Sequence, residues 1–328
     1  MSSIPIYYDW NSTVSCPRCY YGSICQFTTL YYSISLESLL YTSLQSTKIF
    51  LILFIGIICN TVSIVTFCQK TTRELISGLY RLWIAIIGQL GTIILIIRLF
   101  IIFNKKNTGI INCFVLDYLI YVLSSLHYSL TACMAIEKIV VAYKHLSFDK
   151  EGSRHKAKII IPILIIYHFL IAFYKLFQYQ LRADLHSTHN YFLSTFEKII
   201  NIIHLILPII FNLFSPIILI IILVKHKITL KPDVSLWSNF KEVLYTYRRN
   251  IISPYILVIF TIPYLIVAFY FNCITQSWQN QLYLSVYLIY LIPLMTSLFI
   301  FIFPSPKCRE ELYKMYHRLI SYIYSRRY

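Results

Sequence analysis

The chain has 328 residues, of which 58% are hydrophobic and only 13% charged, and its formal net charge is +16. Soluble domains carry about 25% charged residues, so this composition excludes a soluble globular domain. The basic residues are dispersed over loops that flank apolar runs instead of forming one patch, which argues against nucleic acid as a partner.

Seven apolar runs lie in the middle of the chain, and we predict one region that contains them and one on each side. Residues 1–47 form an extracellular N-terminal tail, residues 48–304 hold the runs, and residues 305–328 form a cytoplasmic amphipathic tail. About 20 apolar residues are enough for a helix to cross a bilayer. We therefore predict an all-α, seven-transmembrane helix bundle with a short amphipathic C-terminal surface helix. The predicted spans are Ile49–Phe67, Leu79–Phe103, Asn112–Ala142, Ala157–Phe177, Ile199–Val224, Ile251–Ile274 and Leu282–Phe303.

The third run is the least apolar, since it contains Asp117, His127 and Glu137. Polar side chains at membrane depth are costly unless they face the bundle, which predicts a central helix shielded from lipid. An interior proline removes a backbone hydrogen bond and can bend a helix. The predicted hinges are Pro208 in the fifth run, Pro263 in the sixth and Pro293 in the seventh.

Lys and Arg residues are concentrated in alternate loops and in the C-terminal tail. The positive-inside rule therefore predicts a multi-pass protein with its N-terminus outside and its C-terminus in the cytoplasm. Two amphipathic segments fall on the predicted cytoplasmic side. Residues 233–249 have helical spacing and are predicted to extend the sixth helix. Ser305 and Pro306 are favourable residues for starting a helix, and the stripe that follows predicts a helix on the membrane surface.

Several residues in the third run resemble motifs of the rhodopsin-like G-protein-coupled receptors. Glu137-Lys138-Ile139 resembles that family's Asp/Glu-Arg-Tyr motif, and Cys113 stands about 36 Å away at the other end of the run. Further landmarks match in order and spacing, namely Gly56, Asn60, Pro208, Pro263 and Pro293. The resemblance covers roughly residues 48–320 and looks closest to divergent invertebrate orphan receptors of chemosensory or peptide type. Lys138 replaces the family's arginine, and the second run lacks the family's acidic residue.

The resemblance implies a plasma-membrane receptor that converts binding of an extracellular ligand, a peptide or small molecule, into activation of a heterotrimeric G protein. The residues implied in G-protein coupling are Glu137, Lys138, Lys144, Arg248 and Arg249. The implied ligand pocket is lined by Asp117, Tyr121, Ser124, Tyr128, Tyr264, Tyr283 and Tyr287. Two other classes stay open: a seven-span ligand-gated cation channel of the insect odorant-receptor type, and a multi-span transporter or accessory protein. The channel class has its N-terminus inside, opposite to the charge bias.

Covalent modification is predicted at several positions. The family joins the cysteine that starts the third helix to one in the second extracellular loop, but residues 178–198 contain no cysteine. We hypothesise that Cys113 pairs with a cysteine of the N-terminal tail, and the pairing stays open among Cys16, Cys19, Cys25, Cys113 and Cys273. Asn11 begins a glycosylation sequon, and Cys308 stands where palmitoylation occurs next to a membrane.

Catalytic motifs are absent from the sequence: it contains no HExxH, no glycine-rich phosphate loop and no GxSxG. We predict no enzymatic activity, no cofactor and no metal site. The three histidines inside apolar runs, His127, His168 and His204, are predicted to be hydrogen-bonded bundle residues instead of metal ligands.

Overall fold

The computed structural model of the chain describes residues 20–21, 27–28, 46–103, 110–144, 147–184, 191–230, 234–270 and 277–325, and these are almost entirely helical. In chain order, the long helices are α1 (Ser46–Cys68), α2 (Gly78–Phe103), α3 (Ile110–Lys144), α4 (Lys150–Asp184), α5 (Tyr191–Leu230), α6 (Leu236–Tyr270), α7 (Ser277–Met295) and α8 (Pro306–Ser325). Shorter elements are the helix Lys70–Arg73, the π-helical turn Leu298–Ile302 and an antiparallel pair, β1 (Tyr20–Tyr21) with β2 (Phe27–Thr28). The predicted helical architecture is confirmed.

Within the described ranges, five helices are long and apolar enough to cross a membrane. They contain the segments Phe50–Cys68, Gly78–Ile101, Val115–Lys144, Lys150–Phe173 and Ile206–Leu230. Helix α6 adds a sixth if its two parts, Leu236–Tyr247 and Ile251–Val267, form one span. The apolar part of α7, Ser285–Met295, is shorter. The helices are compatible with a multi-pass membrane protein, with five or six candidate spans where the sequence predicts seven.

Helix α6 includes the segment that the sequence predicts as an extension of the sixth span. Its two parts, Leu236–Tyr247 and Ile251–Val267, meet at 76°. Pro254 follows the bend, and a proline at this position lacks the N–H that would bond the carbonyl of Asn250. The extension is therefore helical, and its direction differs from that of the apolar part.

The prediction that the third apolar run is a central helix is confirmed. In α3, 72% of the apolar window is buried, whereas the figure for α4 is 22%. Helix α3 contributes residues to all three apolar core clusters of the described residues. One cluster joins it to α1, α2, α6 and α7. Another joins it to α1, α2, α4, the π-helical turn and α8, and the third joins it to α5 and α6. The polar groups of α3 are thus placed between helices, where a partner side chain can satisfy them.

Helix α7 ends at Met295, inside the seventh predicted span. The amide of Asn60 on α1 donates to the Leu294 carbonyl at 3.0 Å, close to this interruption. A Cβ added at Gly88 on α2 would lie 2.5 Å from the same carbonyl oxygen, and one at Gly56 would lie 2.9 Å from the Met295 Cβ. The two glycines allow α1, α2 and α7 to approach so closely that one side chain bonds the backbone of another helix.

Candidate functional site

Helix α3 carries a carboxylate near each of its ends, Asp117 and Glu137. A side chain of a neighbouring helix bonds each carboxylate. We call the two ends of the bundle the Asp117 end and the Glu137 end after these residues. At the Asp117 end, Arg98 of α2 forms a two-pronged ion pair with Asp117: Nε donates to Oδ1 at 3.0 Å, and Nη2 donates to Oδ2 at 3.1 Å. The Arg98 side chain is 1% exposed and that of Asp117 is 28% exposed.

This ion pair changes what Asp117 can do chemically. The sequence singles out the carboxylate as a possible partner for a cationic ligand group, but its charge is already balanced by a buried guanidinium. Planar guanidinium and carboxylate groups match each other in this geometry, which gives short and directional bonds. The sequence analysis did not single out Arg98. Its position inside an apolar run is nevertheless a signal, because a buried arginine there requires a partner.

Three tyrosines of the implied ligand pocket, Tyr264, Tyr283 and Tyr287, form an aromatic wall, and a fourth tyrosine joins them. Tyr283 donates to the Tyr264 hydroxyl at 3.3 Å, and the ring centres of Tyr264 and Tyr287 lie 6.1 Å apart. Tyr290, which was not singled out, stacks on Tyr264 at 4.8 Å and on Tyr128 at 5.1 Å. The hydroxyl of Tyr128 also donates to the Tyr290 carbonyl at 2.8 Å. Tyr290 follows Tyr287 by three residues, and this helical spacing is the signal that would have identified it.

Two further residues of the implied pocket, Ser124 and Tyr121, also lie on α3. Ser124 is buried, and Tyr121 contacts α5. The Tyr121 ring stacks on the His204 ring at 6.0 Å, and its hydroxyl lies 3.4 Å from Nδ1 of that histidine. The structure therefore brings together Tyr128, Tyr264, Tyr283 and Tyr287. Tyr121 also contacts a second polar cluster on the α4 and α5 side of α3.

Two histidines occupy the centre of this second cluster. His168 of α4 contacts two serines of α3: Nδ1 lies 3.2 Å from the Ser125 hydroxyl and Nε2 lies 3.0 Å from the Ser129 hydroxyl. The rings of His168 and His204 are 4.7 Å apart. Both are therefore hydrogen-bonded bundle residues, as predicted. For His127, which is also buried, the prediction is not confirmed, because neither ring nitrogen has a hydrogen-bond partner of normal geometry among the described residues. Over the described part of the chain, no group of three or more His, Cys, Asp or Glu residues is arranged to hold a metal ion.

At the Glu137 end, a short hydrogen bond joins α3 to the start of α4. The Ser153 hydroxyl donates to Glu137 Oε1 at 2.6 Å. Both residues line a cavity of about 20 Å³, enough room for one water molecule but not for a ligand. Lys138 lies within electrostatic range of Arg81 and Glu137, and Lys144 is exposed at the end of α3.

The predicted hinge prolines all lie inside helices: Pro208 in α5, Pro263 in α6 and Pro293 in α7. Pro208 and Pro293 are buried, and α7 ends two residues beyond Pro293. Arg248 and Arg249 fall within α6, but their side chains lie outside the described residues.

Most residues that predict covalent modification lie outside the described part of the chain. This applies to Asn11, Cys16, Cys19, Cys25 and Cys273, and also to the side chain of Cys113, so the disulfide and glycosylation sites stay predictions. The cysteines that the structure describes, Cys59, Cys68, Cys133 and Cys308, are free thiols.

Cys308 is buried at the start of α8, with Arg81 Nη1 3.7 Å from its sulfur. A thiol must reach the bilayer to accept an acyl chain. Palmitoylation therefore requires Cys308 to leave this environment.

Comparison of the chain with models of known protein families gives no match. Comparison with curated proteins gives no match either. The resemblance to rhodopsin-like receptors accordingly stays a prediction, based on the residues quoted for it.

Proposed function

We propose that the chain is a seven-helix receptor of the rhodopsin-like G-protein-coupled type. It would lie in the plasma membrane with the N-terminus outside, bind an extracellular peptide or small molecule at the Asp117 end, and activate a heterotrimeric G protein at the Glu137 end. The observation that carries the proposal is the construction of α3. A largely buried central helix joins Asp117 to Glu137, and at each end a neighbouring helix holds the charged side chain.

This construction supports a two-state mechanism. A ligand can shift an equilibrium only by binding one arrangement of helices better than the other. At the Asp117 end, the ion pair to α2 and the tyrosine stack between α3, α6 and α7 are contacts that a bound molecule would rearrange. At the Glu137 end, the hydrogen bond from Ser153 ties α3 to α4 in the arrangement described here. Displacement of α3 changes both sets of contacts, which couples the two ends.

The output of the mechanism would be a cytoplasmic opening beside α3. Helix α6 would swing outward about Pro263, and the space beside Glu137 and Lys138 would receive the G protein. The predicted coupling residues would lie on this side: Lys144 ends α3, and Arg248 and Arg249 fall within α6. Lys138 keeps the positive charge of the family's arginine but lacks its planar, forked geometry.

Membrane topology is the first test of the proposal. Antibodies against an N-terminal epitope should stain intact, unpermeabilised cells, and antibodies against a C-terminal epitope should stain only permeabilised cells. The reverse pattern would contradict the receptor proposal and would direct the work to patch-clamp recording for a ligand-gated channel.

Nucleotide exchange tests the coupling step. Lys138→Ala should lower the exchange that the chain stimulates on co-expressed Gα subunits, without loss of surface expression. Lys138→Arg should retain it, because the charge is kept. Lys314→Ala on α8 is a matched control that removes a lysine elsewhere. Full exchange by Lys138→Ala would remove Lys138 from the mechanism.

A further inference from the structure

A groove runs between α5 and α6 at the Glu137 end, and the proposed function makes no use of it. We call it the α5–α6 groove, and it is lined by Ile220, Ile221, Val224, Lys225, Ile228, Thr229 and Phe240. Its volume is about 480 Å³, within the range of roughly 300–1,000 Å³ for ligand pockets. We propose that the α5–α6 groove binds one anionic phospholipid, with an acyl chain against the isoleucines and the headgroup at Lys225.

The groove faces away from the helix bundle. The opposite side of α5 is buried, where Leu219 and Leu223 pack with Ala142 of α3 and Val243 of α6. By contrast, Ile221 in the groove is 60% exposed. Because α5 is apolar enough to cross a membrane, this exposed face is the one that hydrocarbon chains would contact. The apolar part of the ligand is therefore a lipid chain.

The charge at the groove selects the headgroup. Among the described residues, Lys225 forms no ion pair, whereas its neighbour Lys227 is paired with Glu242 of α6. Lys225 is therefore a cation in the groove lining that can bind an anionic group. Each basic residue near a membrane surface attracts anionic lipid by about 1 kcal/mol, which corresponds to about fivefold in affinity.

An aromatic platform extends the rim on the α6 side. Phe240 lines the groove and stacks on Trp237 at 5.5 Å, and the Lys241 Nζ lies 5.3 Å from the centre of the Trp237 ring. The Trp237 side chain is 62% exposed. Trp237 and Lys241 lie in the N-terminal part of α6, Leu236–Tyr247, and tryptophan and lysine are both common in the headgroup region of a bilayer. This places Trp237 and Lys241 at headgroup level, next to the groove residue Phe240, and Ile220 and Ile221 lie further from the C-terminal end of α5 than Lys225 does.

Lipid-dependent quenching of Trp237 tests the proposal and does not require receptor activity. The full chain is reconstituted in phosphatidylcholine vesicles that contain a small fraction of either dibrominated phosphatidylserine or dibrominated phosphatidylcholine. Subtracting the signal of Trp237→Phe isolates the emission of Trp237. We expect the serine lipid to quench this emission at lower mole fraction than the choline lipid. Equal quenching by both would mean unselective lipid contact and would overturn the proposal.

Substitutions at the rim identify the binding residue. Lys225→Gln should reduce the preference for phosphatidylserine about fivefold, and Lys225→Arg should restore it. Lys158→Gln removes an exposed lysine from α4 and should leave the preference unchanged. Retention of the full preference in Lys225→Gln, or an equal loss in Lys158→Gln, would rule out the α5–α6 groove as the site.

Discussion

Removal of the Asp117 carboxylate tests how much the Arg98–Asp117 ion pair contributes to the stability of the bundle. Asp117→Asn keeps the size of the side chain but leaves the Arg98 guanidinium, 1% exposed, without its counter-charge. Loss of one partner from a buried pair costs about 3–5 kcal/mol. Since Asp117 is 28% exposed, water can partly solvate the vacated site, and we expect the lower end, about 3 kcal/mol.

The assay is thermal unfolding of the purified chain in detergent. At about 2 °C per kcal/mol, Asp117→Asn should lower the Tm by roughly 6 °C. The double variant Arg98→Met with Asp117→Leu should recover most of this loss, because a buried pair replaced by apolar side chains of similar volume is often neutral. Arg98→Met and Asp117→Leu are also measured separately. If their losses add up to the loss of the double variant, the reasoning is refuted, since coupled partners give non-additive effects.

Three further predictions concern helix contacts and use the same Tm measurement. Gly88→Ala places a Cβ 2.5 Å from the Leu294 carbonyl oxygen and should lower the free energy of unfolding by about 1–3 kcal/mol. Leu90→Ala, on the exposed side of α2, should lower it less. Equal losses would contradict the argument that α2 and α7 approach closely at Gly88. Tyr128→Phe removes the hydrogen bond to the Tyr290 carbonyl and should cost about 1 kcal/mol, while Tyr143→Phe, at a 72% exposed position, should have no effect. The Lys314 ammonium lowers the pKa of Glu310, but both side chains are exposed. Glu310→Gln should therefore leave the Tm unchanged. A clear decrease in the Tm would show that this pair stabilises α8.

Helix positions were largely predictable from the sequence because apolar length and polar breaks are local properties. The third predicted run, Asn112–Ala142, lies within α3, and α8 begins at Pro306 as its capping residues predict. The prediction of one span over Leu282–Phe303 was wrong in one respect. Its apolar composition gives no sign that α7 ends at Met295 and that a π-helical turn follows. That interruption depends on contacts with other helices, which hydropathy does not contain.

The contacts within the site were less predictable than the helices. The aromatic wall could be anticipated in part, because Tyr264, Tyr283 and Tyr287 lie on two apolar runs that follow each other along the chain. Helical spacing places Tyr121 and Tyr128 on one face of α3 but does not say which neighbouring helix each ring contacts. Tyr121 stacks on His204 of α5, and Tyr128 stacks on Tyr290 of α7. The rotation of a helix about its axis depends on tertiary packing, and one sequence alone does not fix it.

The polar contacts between helices restrict the rotation of each helix about its own axis. An apolar side chain gains little by leaving lipid for another helix, so apolar matching alone specifies helix pairing weakly in a membrane. A polar group at the same depth requires a partner of defined position. Arg98 with Asp117 fixes α2 against α3, and Asn60 with the Leu294 carbonyl fixes α1 against α7. Residues that appear unfavourable in an apolar run are therefore the ones that determine how the helices are arranged.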